Sequence, residues 1–331
     1  MRSFISDSES TVAVDVWRPP VPAAPRCGTP VRGVRRLVYE RLLIAAGWVV
    51  LLTIATAAVY RGTRVGLDED NYWAEKLSWR ACADCVLAGD SRIGMGLSPA
   101  AMATLLGDRR ILNFFFPSAH YSSGYLDAIE SLLDPHAARP TIVLGITPES
   151  LLRKSEREWF EDERCRILDC GRLELWVGQY LPYRRPLRLD TLLLGRNPLR
   201  FHPDGWAENL ASTVSLKEVT RHRQMYRHHS VSPAQVEILL QRVERWVRQG
   251  VLVYAFRPPT CREMLAVEAA SGFDEPDFVR RFEAVGGRWI TVDPQGYHTT
   301  DGHHLHADSA LRLSRAVARR IREDDAGIAS R

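Results

Sequence analysis

Five short apolar runs, separated by helix-like stretches, constrain this chain more than any other feature. They are Cys85–Gly89, Arg110–Phe114, Thr141–Gly145, Val251–Phe256 and Arg288–Val292. Each is brief, rich in β-branched or aromatic side chains, and bounded by Gly, Asp or Pro, as strands buried on both faces of a parallel sheet are. Helical patterns lie between them. Pro99–Leu106 follows Ser98, a suitable N-cap, and Tyr125–Leu133 has one apolar face. Pro233–Gln249 carries Val236, Leu239, Leu240, Val243 and Val247 at helical spacing and is followed by Gly250. Pro276–Val285 and Ser309–Ile321 complete the set. Strands alternating with helices predict a layered α/β fold of about five parallel strands with right-handed crossovers. The 331 residues suffice for one large domain or two ordinary ones, and 45% apolar with 25% charged residues is a globular balance. A formal charge of only +4, from 44 basic and 40 acidic residues, argues against a nucleic-acid partner.

One stretch departs from that balance. Leu42–Tyr60 (LLIAAGWVVLLTIATAAVY) has no formal charge. As a helix at ~1.5 Å per residue it reaches about 28 Å, close to the hydrocarbon thickness of a bilayer. Residues 37–61 are therefore expected to form one transmembrane helix, with a buried core helix as the plainer reading. Arg32, Arg35, Arg36 and Arg41 precede the run, whereas Arg61 and Arg64 follow it. This bias predicts a cytoplasmic N-terminus and an extracytoplasmic domain over 62–331. A cleaved signal peptide ending near Ala55-Thr56-Ala57 is the rival, and it exports the same domain. Residues 1–36 read as a flexible cytoplasmic tail, because Pro19, Pro20, Pro22, Pro25 and Pro30 come with few large apolar side chains. Cys82 with Cys85, and Cys165 with Cys170, are spaced for short disulfides outside the cytoplasm, or for inert buried thiols; Cys27 would lie inside. The stretch 151–230, rich in Arg and Trp, reads as a helical insertion packed over one end of the sheet.

In parallel α/β sheets ligands collect at the carboxyl ends of the strands. There the chain places Gly89-Asp90-Ser91-Arg92, then Asn113 to Ser118, then Gly145-Ile146-Thr147, then Arg257, and after the fifth run Asp301-Gly302-His303-His304-Leu305. A serine needs a base to become a useful nucleophile, and the base needs a partner that holds its tautomer. Ser91 stands at a strand end, and Asp301 and His304 are three apart in one loop, so a Ser91–His304–Asp301 set is expected. Asp301, His303, His304 and His306, with His298 nearby, also form a dense group of potential metal ligands. Their spacing is not that of a helical ligand pair, and no metal or cofactor is expected.

These residues resemble the SGNH (GDSL-type) hydrolases over roughly 82–120, 140–150 and 250–322. Gly89-Asp90-Ser91 looks like the block that carries the nucleophile, and Asp301-x-x-His304 like the block that supplies acid and base. Asn113–Ser118 looks like the second block, with Ser118 at the usual glycine position. The third block usually offers an Asn side chain; here Thr147 is the candidate substitute. The resemblance implies a three-layer α/β/α, flavodoxin-like fold, catalysis by Ser91, His304 and Asp301, and an oxyanion hole from Ser91, Ser118 and Thr147. Loss of one oxyanion donor costs on the order of 3–4 kcal/mol of transition-state stabilisation. Asn113, Arg92 and Arg257 are candidates for substrate contact, with structural ion pairs as the plainer reading for the arginines. With its anchor, the chain is similar to membrane-anchored bacterial SGNH-like proteins of polysaccharide and cell-wall O-acylation. That implies an inner-membrane protein acting outside the cytoplasm on a glycan or acyl ester, with a membrane-bound O-acyltransferase as partner. The alternative is a catalytically degenerate protein that binds glycan or organises an envelope assembly.

Overall fold

The computed structural model describes residues 32–63, 69–152, 160–161, 164, 199–212 and 214–329. Cys27, Cys165, Cys170 and the predicted tail up to residue 31 lie outside them. The chain divides into two compact units, Met1–Ile54 and Ala55–Arg331. The described part of the first belongs to α1 (Arg32–Thr63), an unbroken helix that contains the uncharged run. Its large apolar side chains from Val38 to Ile54 are 51–72% exposed. Among the described residues no helix is long and apolar enough to cross a membrane.

The second unit begins with α2 (Glu69–Ser78) and then builds its sheet. Its strands in chain order are β1 (Cys85–Ala88), β2 (Ile111–Asn113), β3 (Thr141–Gly145), β4 (Leu199–Phe201), β5 (Ala207–Asn209), β6 (Leu252–Phe256) and β7 (Arg288–Trp289). Five of them form a parallel sheet in the order β2-β1-β3-β6-β7, and β4 and β5 pair as a separate antiparallel hairpin. The central strands β1 and β3 are buried at every position, which is why they read as continuous apolar runs rather than alternating ones. From β1 the chain steps outward to β2, then returns past β1 to β3 and continues the other way. The switch in direction opens a crevice between the carboxyl ends of β1 and β3, where doubly wound sheets bind their ligands.

The helices follow local signals. After the short α3 (Ser91–Gly96), α4 (Pro99–Leu106) and α5 (Ser123–Leu132) begin at Ser98 and Ser122, whose hydroxyls accept N–H bonds from the first turn. α6 (Lys217–Met225) belongs to the long insertion. α7 (Pro233–Arg248) buries Val236, Leu239, Leu240, Val243 and Trp246, the apolar stripe of the sequence. Beyond α8 (Arg262–Glu268), α9 (Glu275–Ala284) starts at Asp274, and α10 (Ala307–Ala329) packs against α3 and α4. The sequence reading missed α2, α3, α6 and α8, all short, and overran β7. That edge strand keeps one further bond, Ile290 N–H to the Ala255 carbonyl at 2.8 Å.

The described part of the insertion is not purely helical. The β4–β5 hairpin sits beside β2, where Asn113 N–H donates to the Asp204 carbonyl at 2.8 Å and Tyr72 Oη to the Gly205 carbonyl at 2.5 Å. Trp206 Nε1 donates to the Met95 carbonyl at 3.3 Å, which fastens the hairpin to α3. Cys82 and Cys85 are free thiols, which corrects the disulfide reading for this pair. Cys85 is a β1 core residue, and burial raises its thiol to about 12, so it has no thiolate character at neutral pH.

Candidate active site

Ser91 is the first residue of α3, directly beyond β1. The turn that presents it is tightly specified. Gly89 has φ 150°, and a Cβ there would lie 2.8 Å from Ile93 Cγ1 and 3.2 Å from the Gly145 carbonyl. Asp90 caps α3 by accepting the Arg92 N–H on Oδ1 at 2.9 Å. Its Oδ2 accepts the Thr147 hydroxyl at 2.7 Å. Below, Gly89 N–H donates to Tyr125 Oη at 3.0 Å, and Tyr125 in turn donates to the Phe114 carbonyl at 2.6 Å. Ser91 is thereby set on a rigid turn with its hydroxyl free of capping duty.

The opposite wall is the loop before α10. An antiparallel bridge between Thr299 and Leu305 closes it, and Thr300 N–H donates to the His304 carbonyl at 2.9 Å. The insertion grips it from outside: Asn209 Nδ2 donates to Thr300 Oγ1 and Ser215 N–H to the Thr300 carbonyl, both at 2.8 Å. Within the loop, Asp301 Oδ1 accepts the N–H groups of His304 at 2.9 Å and His303 at 3.2 Å. Its Oδ2 is 2.6 Å from His304 Nδ1. The far ring nitrogen, His304 Nε2, is 2.7 Å from Ser91 Oγ.

The tautomer follows from these partners. Burial alone would raise the Asp301 carboxyl, but the bonds from the His304 ring and from the two backbone N–H groups outweigh it and hold the carboxyl below its usual range. An ionised carboxylate only accepts, so His304 Nδ1 carries a proton and Nε2 presents its lone pair to the Ser91 hydroxyl. That is the arrangement in which an imidazole can take a proton from a serine.

Two of the three proposed oxyanion groups are compatible with that role. The Ser91 N–H stands at the first position of α3, where no intrahelical acceptor exists. Ser118 has φ 53°, one of only two non-glycine residues with positive φ among the described residues. A serine held where glycine is at ease is local strain of the kind functional loops carry. The segment leading to it runs beside β1, with Phe114 N–H on the Leu87 carbonyl at 2.7 Å and Phe116 N–H on the Gly89 carbonyl at 3.2 Å.

Four other assignments need correction. Thr147 is fully buried; its hydroxyl serves Asp90 and accepts the Ser150 N–H at 3.1 Å, and its own N–H donates to Ser150 Oγ at 3.2 Å. It is therefore not an oxyanion donor but a brace for the turn that holds Ser91. Asn113 is also buried, and its amide caps α3 from below through the Ile93 and Leu97 carbonyls at 2.9 and 2.8 Å. Arg92 points inward and pairs with Glu268 at 2.5 Å, with side chains 1% and 0% exposed. Arg257 reaches the same glutamate at 2.8 Å and Glu275 at 2.5 Å. These three side chains are structural, and none is free to meet a substrate.

Glu268 has no sequence signal; it is one more glutamate on a short helix. Burial would raise its carboxyl, yet Arg92 and Arg257 outweigh that and keep it below the usual range. Removing it leaves the Arg92 guanidinium buried without its counterion. Glu268→Ala is expected to destabilise the fold by about 3–5 kcal/mol, read as a lower urea midpoint with an unchanged slope.

No family model matches the chain, and no curated protein matches it. The site's own geometry therefore has to carry the functional reading. Asp301, His303 and His304 have donor atoms within 4.8 Å of one another. In this trio Asp301 and His304 spend those atoms on each other and on Ser91, so it is better suited to proton transfer than to holding a metal.

Proposed function

We propose that this chain is a serine esterase or O-acyltransferase of the SGNH type, built as a three-layer α/β/α domain. The reading rests on one observation: Ser91 Oγ, His304 Nε2, His304 Nδ1 and Asp301 Oδ2 are linked by bonds of 2.7 and 2.6 Å across 213 residues of sequence. Ser91 attacks an acyl carbonyl while His304 takes its proton, and Asp301 stabilises the imidazolium. The backbone N–H groups of Ser91 and Ser118 receive the oxyanion. His304 then returns the proton to the leaving alcohol, and water or a sugar hydroxyl releases the acyl group from Ser91. Water gives hydrolysis; a sugar gives transfer.

The proposed setting is the outer face of a bacterial inner membrane, with a glycan or envelope ester as substrate and a membrane-bound O-acyltransferase as partner. The uncharged run of α1 supports it. A helix that is apolar around its whole circumference needs lipid or protein to cover it.

A second reading, a non-catalytic glycan-binding or organising protein, is favoured by the employment of Thr147 elsewhere, which leaves the hole without a third-block side-chain donor. A fluorophosphonate probe separates the two. The catalytic reading expects labelling at Ser91 that disappears in His304→Ala. A folded protein that takes no label supports the second.

A further inference from the structure

Beside the Ser91 site lies a second cluster that the proposed reaction does not use. His222 lies on α6 with its side chain 1% exposed, and its Nδ1 is 2.8 Å from the Glu218 carbonyl one turn earlier. A carbonyl only accepts, so Nδ1 carries the proton and Nε2 presents a lone pair. Yet 3.0 Å from Nε2 stands not a donor but a carboxylate oxygen, Oε2 of Glu149. A lone pair facing a carboxylate calls for a cation between or beside them.

His303 repeats the pattern. It is 2% exposed, and its Nε2 is 3.1 Å from His304 Nε2, the atom whose lone pair faces Ser91. His303 therefore donates through Nε2, and its Nδ1 is a second bare lone pair, buried without a hydrogen-bond partner. The two imidazoles meet edge to face at 4.8 Å between ring centroids. The donor atoms of Glu218, His222 and His303 all lie within 4.8 Å of one another. Glu218 gives Oε2 to Arg221 at 2.5 Å, and a carboxylate has a second oxygen to offer.

We propose that Glu218, His222 and His303 form a binding site for a divalent transition metal of the Zn2+ class, with Glu149 as the fourth donor. Histidines that ligate metals donate their other ring N–H to a carbonyl or another acceptor, which fixes the tautomer in advance. His222 does so to the Glu218 carbonyl and His303 to His304. Two imidazoles with carboxylates select zinc-like ions over Mg2+ or Ca2+. Zn–N bonds of ~2.0–2.1 Å put tetrahedral neighbours about 3.3 Å apart, so the cluster has to contract slightly around the ion. The 3.0 Å between His222 and Glu149 is already close to that spacing. Burial, then the positive charge of His304, Arg92, His222 and Arg221, keeps His303 unprotonated well below the usual histidine range, so the metal does not compete with a proton there. The ion would tie α6 of the insertion to the loop that carries Asp301 and His304. Nothing in this site depends on Ser91 being a nucleophile.

The test is Zn2+ titration of full-length protein stripped with a chelator, followed by calorimetry and by the visible absorption of Co2+ as a tetrahedral reporter. One equivalent per chain is expected, with a rise in Tm on loading. His222→Ala should weaken binding more than about 100-fold, beyond what loss of an outer-shell partner does. Glu218→Gln, a near-isosteric change at a half-exposed side chain, should weaken it at least about tenfold if His222→Ala proves unfolded. Asp301→Asn should bind like the parent. Folded parent protein that takes up no stoichiometric Zn2+ would overturn the proposal. So would binding that survives Glu218→Gln and His222→Ala but is lost in Asp301→Asn, which would place the ion on the Asp301–His303–His304 group.

Discussion

Ser91→Ala is expected to reduce hydrolysis of a chromogenic acetyl ester by at least about 10³-fold, with the fold intact. A factor of 10³ corresponds to about 4 kcal/mol of barrier. The large effect follows from the geometry, because the hydroxyl removed is the one 2.7 Å from His304 Nε2, and no other nucleophile is held there. Stability should change by only about 0.5 kcal/mol, since Asp90 and not Ser91 caps α3. His304→Ala should cost as much, and the double variant no more than either, because a serine and its base act as one unit. Activity in Ser91→Ala equal to the parent would defeat the esterase reading, and additive losses would show that the two side chains act separately.

Asp301→Asn should be nearly as damaging, at about 10³- to 10⁴-fold in kcat, although it changes a single atom. Two backbone N–H groups, those of His303 and His304, already point at Asp301 Oδ1. An asparagine has one oxygen, and these two donors will claim it. Its NH2 then faces His304 Nδ1 as a donor and forces the proton of the ring to Nε2. In that tautomer His304 offers Ser91 a hydrogen instead of a lone pair. The check is a kinetic one paired with a near-UV spectrum, so that a folded but inactive protein is distinguished from a collapsed loop. A loss below tenfold in folded Asp301→Asn would mean that Asp301 does not set the tautomer.

Much of the scaffold was legible in the linear chain because its causes are local. β1 and β3 read as strands from their unbroken apolar runs, and α4, α5 and α7 fall within two residues of where capping serines and apolar spacing put them. Asp301 and His304 were legible as a pair because one short loop carries both. What escaped were elements too short for a period to show, such as α3 and α8, and the β4–β5 hairpin, whose place depends on Asn113, Tyr72 and Met95 elsewhere in the chain.

The order of strands and helices, the positions of their caps, and the identity of the serine, histidine and aspartate were determined by residue order, since each depends on neighbours within a few positions. The direction in which the other polar side chains at those strand ends point was decided only in three dimensions. Arg92 and Arg257 look from sequence as though they face the crevice, yet a buried carboxylate at Glu268 draws both inward. Thr147 and Asn113 likewise turn to Asp90 and to the end of α3. A buried polar group must find a partner, and the partner nearest in space is chosen by packing, to which distance along the chain is no guide.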